Sequence, residues 1–101
     1  MIRITITHRS AETPNSIRIE GHAGYNPGND IVCAAVSGLT EQLGCYLLQH
    51  DNTADVRMLS GNATISSINP FTDLIFDLTE FGLRCIAQTY PDHVAVLPVT
   101  A

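Results

Sequence analysis

Residues 17–36 read IRIEGHAGYNPGNDIVCAAV, and within them the chain changes its period. Ile17 and Ile19 alternate with Arg18 and Glu20, the two-residue repeat of a strand with one buried face. Gly21-His22-Ala23-Gly24 closes that strand, and Tyr25-Asn26-Pro27-Gly28-Asn29 holds too much glycine and proline for regular structure. After Asp30, the apolar residues Val32, Ala35, Val36, Leu39, Leu43, Tyr46 and Leu47 recur at three- and four-residue steps. That spacing predicts a helix capped by Asp30 and running to about Gln49. Strand, flexible loop and capped helix are expected in succession.

Working outward, Ile2, Ile4 and Ile6 alternate with Arg3, Thr5 and Thr7, predicting a strand over residues 2–8. A turn over Glu12 to Ser16, holding Pro14 and Asn15, joins it to the strand from Ile17 to about Gly21 as an antiparallel hairpin. Beyond the helix, Asp55–Leu59 and Asn62–Ser67 form two short strands linked through Ser60-Gly61. Asn69-Pro70 has the form of an N-cap with proline at the first helical position, and opens a second helix from Phe71 to about Thr89. Leu74, Leu78, Phe81, Leu83, Cys85 and Ile86 give that helix broad apolar coverage. Tyr90-Pro91 stops it, and Val94 to Val99 forms a last strand. The order β-β-α-β-β-α-β predicts an α+β fold, with two helices packed on a mainly antiparallel sheet. Ala34, Gly38 and Cys45 put small residues on the far side of the first helix, predicting a close neighbour there, either the second helix or another subunit. At 101 residues the chain supports one core, so 1–101 is expected to be a single domain.

Hydrophobic residues make up 45% of the chain and charged ones 15%, a folded rather than a disordered balance. Net charge is -5, and the five cations are all arginines, at 3, 9, 18, 57 and 84. They are scattered, which argues against nucleic acid as a partner because phosphate binding needs clustered cations. No leader-like h-region and no run near the ~20 apolar residues of a membrane span is read from the sequence, so a cytoplasmic protein is expected. Three widely spaced cysteines, Cys33, Cys45 and Cys85, fit neither a disulfide framework nor paired metal ligands. At least one is a free thiol. No histidine pair has the tight helical spacing of a zinc enzyme, and neither metal nor cofactor is expected.

The helix start is where chemistry is expected. Cys33 lies in the first turn, where unpaired N–H groups and the helix dipole favour an anion. A thiol there ionises more readily than a free one, which titrates near ~8.5. The same N–H groups are positioned to receive an oxyanion. His22 ends a strand, and the loop after it is long enough to bring its imidazole over Cys33 as a general base. Ser37 sits one turn after Cys33 on the same side, and Asp30 is first a cap and second an orienter of His22. Cys45 and Cys85 read as core residues, and His8, His50 and His93 as surface ones.

Gly21-His22-Ala23, Gly28, and Asp30 through Ser37 (DIVCAAVS) together resemble the ribosomal-processing cysteine protease, or Prp, family. The likeness covers the whole chain, its outer parts in pattern only. Members of that family form homodimers and remove a short N-terminal extension from a large-subunit ribosomal protein. The resemblance therefore implies a cysteine endopeptidase with the N-terminal segment of a ribosomal protein as substrate. By it His22 and Cys33 form the catalytic dyad, and Asp30 and Ser37 support them. Gly21, Gly24 and Gly28 belong to a mobile loop closing over substrate. The 24–29 segment is shorter than the usual family loop and carries Pro27. Two other readings fit the residues: the same chemistry on a phage scaffold or capsid protein, and a non-catalytic ribosome-associated binding module in which Cys33 merely packs.

Overall fold

A computed structural model describes residues 1–99. Its elements run β1 (Ile2–Thr7), β2 (Asn15–Glu20), α1 (Ile31–His50), β3 (Asp55–Leu59), β4 (Asn62–Ser67), a 3-10 turn (Pro70–Thr72), α2 (Asp73–Thr89) and β5 (Val94–Val99). The five strands form one sheet in the order β3-β4-β2-β1-β5. All pairs are antiparallel except β1 with β5, which run parallel because α2 carries the chain from one end of the sheet to the other. The expected α+β architecture is present.

Alternation decides the sheet's two faces. Ile4 pairs with Ile19, Ile6 with Ile17, and Ile17 with Ile65, so the register stacks isoleucines on the helix-covered side. Ile2, Ile4, Ile6, Ile17, Ile19 and Ile65 are all buried, while Arg3, Arg18 and Glu20 face out. From α1, Val32, Val36, Leu43 and Leu47 meet them; from α2, Phe76 and Leu83 do. Each such side chain contributes roughly 1.5–3 kcal/mol by leaving water.

Several expectations are corrected. The proposed turn ends earlier, because Asn15 and Ser16 already belong to β2. Asn15 is buried there, with its amide donating to Asp73 at 2.7 Å and its carbonyl oxygen accepting from the Arg9 N–H at 2.9 Å. A residue typical of turns has been drawn into the sheet by a buried polar network, which local propensity does not register. Of the two neighbours expected on the small face of α1, the second helix does not lie there: within the chain Ala34, Gly38 and Cys45 are exposed, and a Cβ on Gly38 would meet nothing within 4 Å. The helices instead approach where Gly82 of α2 leaves room for Leu39, whose Cδ1 would lie 2.8 Å from a Cβ at that position. Leu74, Leu78 and Phe81 lie on the outside of α2, at 77%, 72% and 68% exposure. Cys45 and Cys85 are exposed as well, so neither is a core residue.

Contrary to the sequence reading, α1 is long and apolar enough to cross a membrane, with 20 residues and a mean hydropathy of 1.5. Its buried stripe of Val32, Val36, Thr40, Leu43, Gly44 and Leu47 packs against the sheet and α2. Composition of that kind also suits a core helix.

Candidate active site

The β2–α1 connection is pinned at both ends. Gly21 has φ +94° and donates its N–H to the Gly61 carbonyl at 2.9 Å. A Cβ at Gly21 would run into the Met1 carbonyl, so only glycine turns the chain here. At the other end the Asp30 carboxylate takes four backbone N–H groups. Oδ1 accepts from Val32 and Cys33 at 2.9 and 3.0 Å, and Oδ2 from Tyr25 and Asn26 at 2.9 and 3.1 Å. Desolvation pushes this carboxyl up, but the Cys33, Asn26, Tyr25 and Val32 N–H groups together hold it below its ordinary value. Asp30 thus caps α1 and ties the glycine loop to the helix.

This cap changes the expected anion site. The Val32 and Cys33 N–H groups, which the sequence reading offered to a thiolate or an oxyanion, are already spent on Asp30. The donor that reaches Cys33 Sγ comes from the Ala23 backbone, at 3.3 Å. Ala23 is buried, and its carbonyl oxygen lies 2.9 Å from Nδ1 of His93. His93 also meets the edge of Tyr25, ring centroids 5.3 Å apart. It is half-buried rather than a surface residue. Its position after Pro91 hid this, since only the pairing of β5 with β1 brings it beside the loop.

His22 is exposed and its imidazole lies over Gly61 in the β3–β4 turn, where a Cβ would stand 2.7 Å from Nε2. His22 and Cys33 line one cleft of about 310 Å³, together with Gly21, Ser37, Thr40 and Glu41. The opposite wall is the β3–β4 hairpin, from Met58 to Ala63. Gly24 and Gly28 do not line it, and Asp30 makes no hydrogen bond to His22 among the described residues. Nor does a hydrogen bond join His22 to Cys33 among those residues; the two share a cleft without being locked together. The hairpin wall and the Ala23 and His93 contacts were not read from sequence, because no local motif announces a wall built from a distant turn. One trio elsewhere, His8, Asp77 and Glu80, has ligand atoms near enough for a cation. Two of the three, His8 and Asp77, are exposed, the trio lies outside this cleft, and His8 Nε2 is already joined to Glu80 at 2.7 Å.

A free thiol held by a peptide N–H and an imidazole on the same cleft are the parts of a thiol hydrolase. The sequence profile of the family described as cysteine protease Prp matches residues 1–95. The chain belongs to the cysteine protease Prp family. It is a cysteine protease. No curated protein matches it significantly. Among solved structures it is similar to the essential ribosomal processing protease Prp from S. aureus, in complex with a covalently linked product peptide. That similarity has a TM-score of 0.83 at 23% identity, over 98% of this chain and 100% of the other. The S. aureus protease in complex with a substrate peptide gives a TM-score of 0.79 at 22% identity, again over 98% and 100%. SMU.848 from Streptococcus mutans gives 0.77 at 28% identity, over 100% of this chain and 96% of that one. The Prp fold therefore extends through the described chain. Family membership displaces the reading of a non-catalytic binding module.

Proposed function

We propose that this protein is an endopeptidase that removes the N-terminal extension of a large-subunit ribosomal protein, with Cys33 as nucleophile and His22 as its acid/base partner. The observation that carries the assignment is the shared cleft: among the three free cysteines, Cys33 alone lines it, and His22 lines it too. The S. aureus protein of the same fold is described as a ribosomal processing protease and was solved with peptides bound, which supports a peptide substrate here.

The chemistry follows from the parts. Nε2 of His22 takes the Cys33 proton, and the sulfur attacks the scissile carbonyl carbon. The tetrahedral adduct collapses as the imidazolium returns that proton to the departing amine, leaving an acyl-enzyme. Water, deprotonated by the same imidazole, releases the acid and restores the thiol. His22 must come onto the sulfur for the first step, and in free enzymes such contacts are often loose until substrate is bound. Ser37, on the cleft wall one turn from Cys33, faces the substrate. The loop of Gly21, Gly24 and Gly28 acts through its tether to Asp30 rather than as a cleft wall.

The enzyme acts as a homodimer in the cytoplasm. Leu74, Leu78 and Phe81 support the first statement, as an exposed apolar row on α2 that a second copy would cover. Three free thiols suit a reducing compartment. Mass spectrometry of an extended ribosomal protein incubated with wild type, Cys33→Ser and His22→Ala tests substrate and dyad together. Trimming by wild type alone is expected. Trimming at the normal rate by a Cys33→Ala protein removes Cys33 as nucleophile.

A further inference from the structure

Cys33 Sγ takes its hydrogen bond from the N–H of a residue whose carbonyl, in the next peptide group, is itself held. The Ala23 N–H points at the sulfur at 3.3 Å, and the Ala23 carbonyl, one residue's length along the backbone, is bonded to His93 Nδ1 at 2.9 Å. A carbonyl oxygen only accepts, so Nδ1 carries the proton. His93 lies outside the β2–α1 loop. It sits just before β5, its own carbonyl accepts from Ile2 N at 2.9 Å, and its N–H donates to Tyr90 at 3.0 Å. Its ring meets Tyr25 edge-on, and Tyr25 meets Tyr90 in the same way at 5.4 Å. Gly21 and Gly24, either side of Ala23 and His22, both have positive φ and offer no stiffness of their own. The segment carrying His22 and the Ala23 donor is therefore referenced to the β1–β5 part of the sheet through one imidazole.

We propose that His93 is a positioning residue, which holds Ala23 by its carbonyl so that the N–H of the same residue stays aimed at Cys33 Sγ. It touches neither substrate nor the reacting atoms; it acts through Ala23. The inference rests on the assignment of Cys33 as nucleophile for its effect on turnover, but not for its effect on the sulfur itself. A hydrogen bond to a charged acceptor contributes enough to change the thiolate population about tenfold. Loss of that bond also makes the remaining thiolate more nucleophilic, so the alkylation rate falls less, about threefold.

Three measurements on the full chain test it. In wild type, a long-range proton–nitrogen NMR spectrum should show His93 protonated on Nδ1; an Nε2–H tautomer overturns the proposal without any mutant. In His93→Phe the ring against Tyr25 is kept and the donor is lost. Cys33 alkylation by iodoacetamide, read by mass spectrometry against Cys45 and Cys85 in the same sample, should fall about threefold. The kcat on a peptide spanning the junction of the extended ribosomal protein should fall about threefold or more with KM little changed, since the lost contact is not to substrate. His93→Asn, whose amide restores an N–H donor, should return both values close to wild type. Wild-type alkylation and turnover in His93→Phe, or equal damage in His93→Asn, overturns the proposal. Failure of the nucleophile assignment reads differently: Cys33→Ala would still cleave, while the tautomer and the alkylation ratio continue to report on His93.

Discussion

Gly61→Ala separates the cost of backbone strain from the cost of moving His22, the proposed general base. Gly61 has φ +72°, a left-handed conformation that costs an L-residue about 1 kcal/mol or somewhat more. An added Cβ would also stand 2.7 Å from His22 Nε2 and 3.0 Å from its Cε1, where ordinary contact begins at 3.4 Å. His22 is exposed and free to swing, so the ring gives way by several tenths of an ångström and the fold loses little beyond the strain. Gly24→Ala supplies that strain without the contact, since φ is +66° and nothing lies within 4 Å. Both variants should lose about 1 kcal/mol in urea denaturation, a fall in Tm of roughly 4–8 °C for a domain of this size. Catalysis is another matter, because a misplacement of about 1 Å can cost 10²-fold. Gly61→Ala should reduce kcat by about tenfold or more on the ribosomal-protein peptide. If Gly61→Ala cleaves at the wild-type rate, the place of His22 over the β3–β4 turn has no mechanistic meaning.

Other consequences follow from the polar contacts and the α2 surface. The Asp73 carboxyl is held at about 2, by hydrogen bonds from Arg9 first and Asn15 second, against desolvation. Its stabilisation is therefore fully present above the ordinary value of 3.8 and is lost as pH falls towards about 2. Asp73→Asn should flatten the fall of Tm across that window, measured by calorimetry, leaving the part owed to Asp30, Asp51 and Glu80, whose carboxyls also lie low. Ser67 is buried, bonded to Asp51, and accepts the Asn69 N–H at 3.0 Å. Ser67→Ala should cost about 1–3 kcal/mol in denaturant titrations, because it strands both partners. Leu78→Glu should convert a dimer to a 10.9 kDa monomer in light scattering; an unchanged mass would place the subunit contact elsewhere.

The fold was legible where one rule governs a segment. Alternation located β1 to within one residue, the Ser60-Gly61 turn set the limits of β3 and β4, and capping chemistry marked Asp30 at the start of α1 and Asn69 at the 3-10 turn that leads into α2. Asn15 escaped because a turn-forming side chain found buried partners in Arg9 and Asp73, 64 residues apart in sequence. The broad apolar coverage of the second helix did not tell the inward Leu83 from the outward Leu74, Leu78 and Phe81, because hydrophobicity marks what is to be covered without saying by what. At the site, the helix start pointed to Cys33 and the strand end to His22, and the structure puts both on one cleft. His93, the Ala23 N–H and the hairpin wall were beyond reach, since each depends on how distant strands register in the sheet.

Asp30 shows why a helix start is an incomplete argument for an ionised sulfur. The residue that makes α1 begin beside Cys33 also consumes the Val32 and Cys33 N–H groups and places a carboxylate next to the thiol. A capping anion opposes a second anion at the same helix end, so dipole and cap pull against each other. What remains in favour of a charge on the sulfur is a donor from outside the helix, the Ala23 N–H. Cap and donor share one loop: Asp30 grips it at Tyr25 and Asn26, His93 at Ala23. The loop tied to the helix cap is thereby the one that brings the sulfur a hydrogen bond from outside the helix.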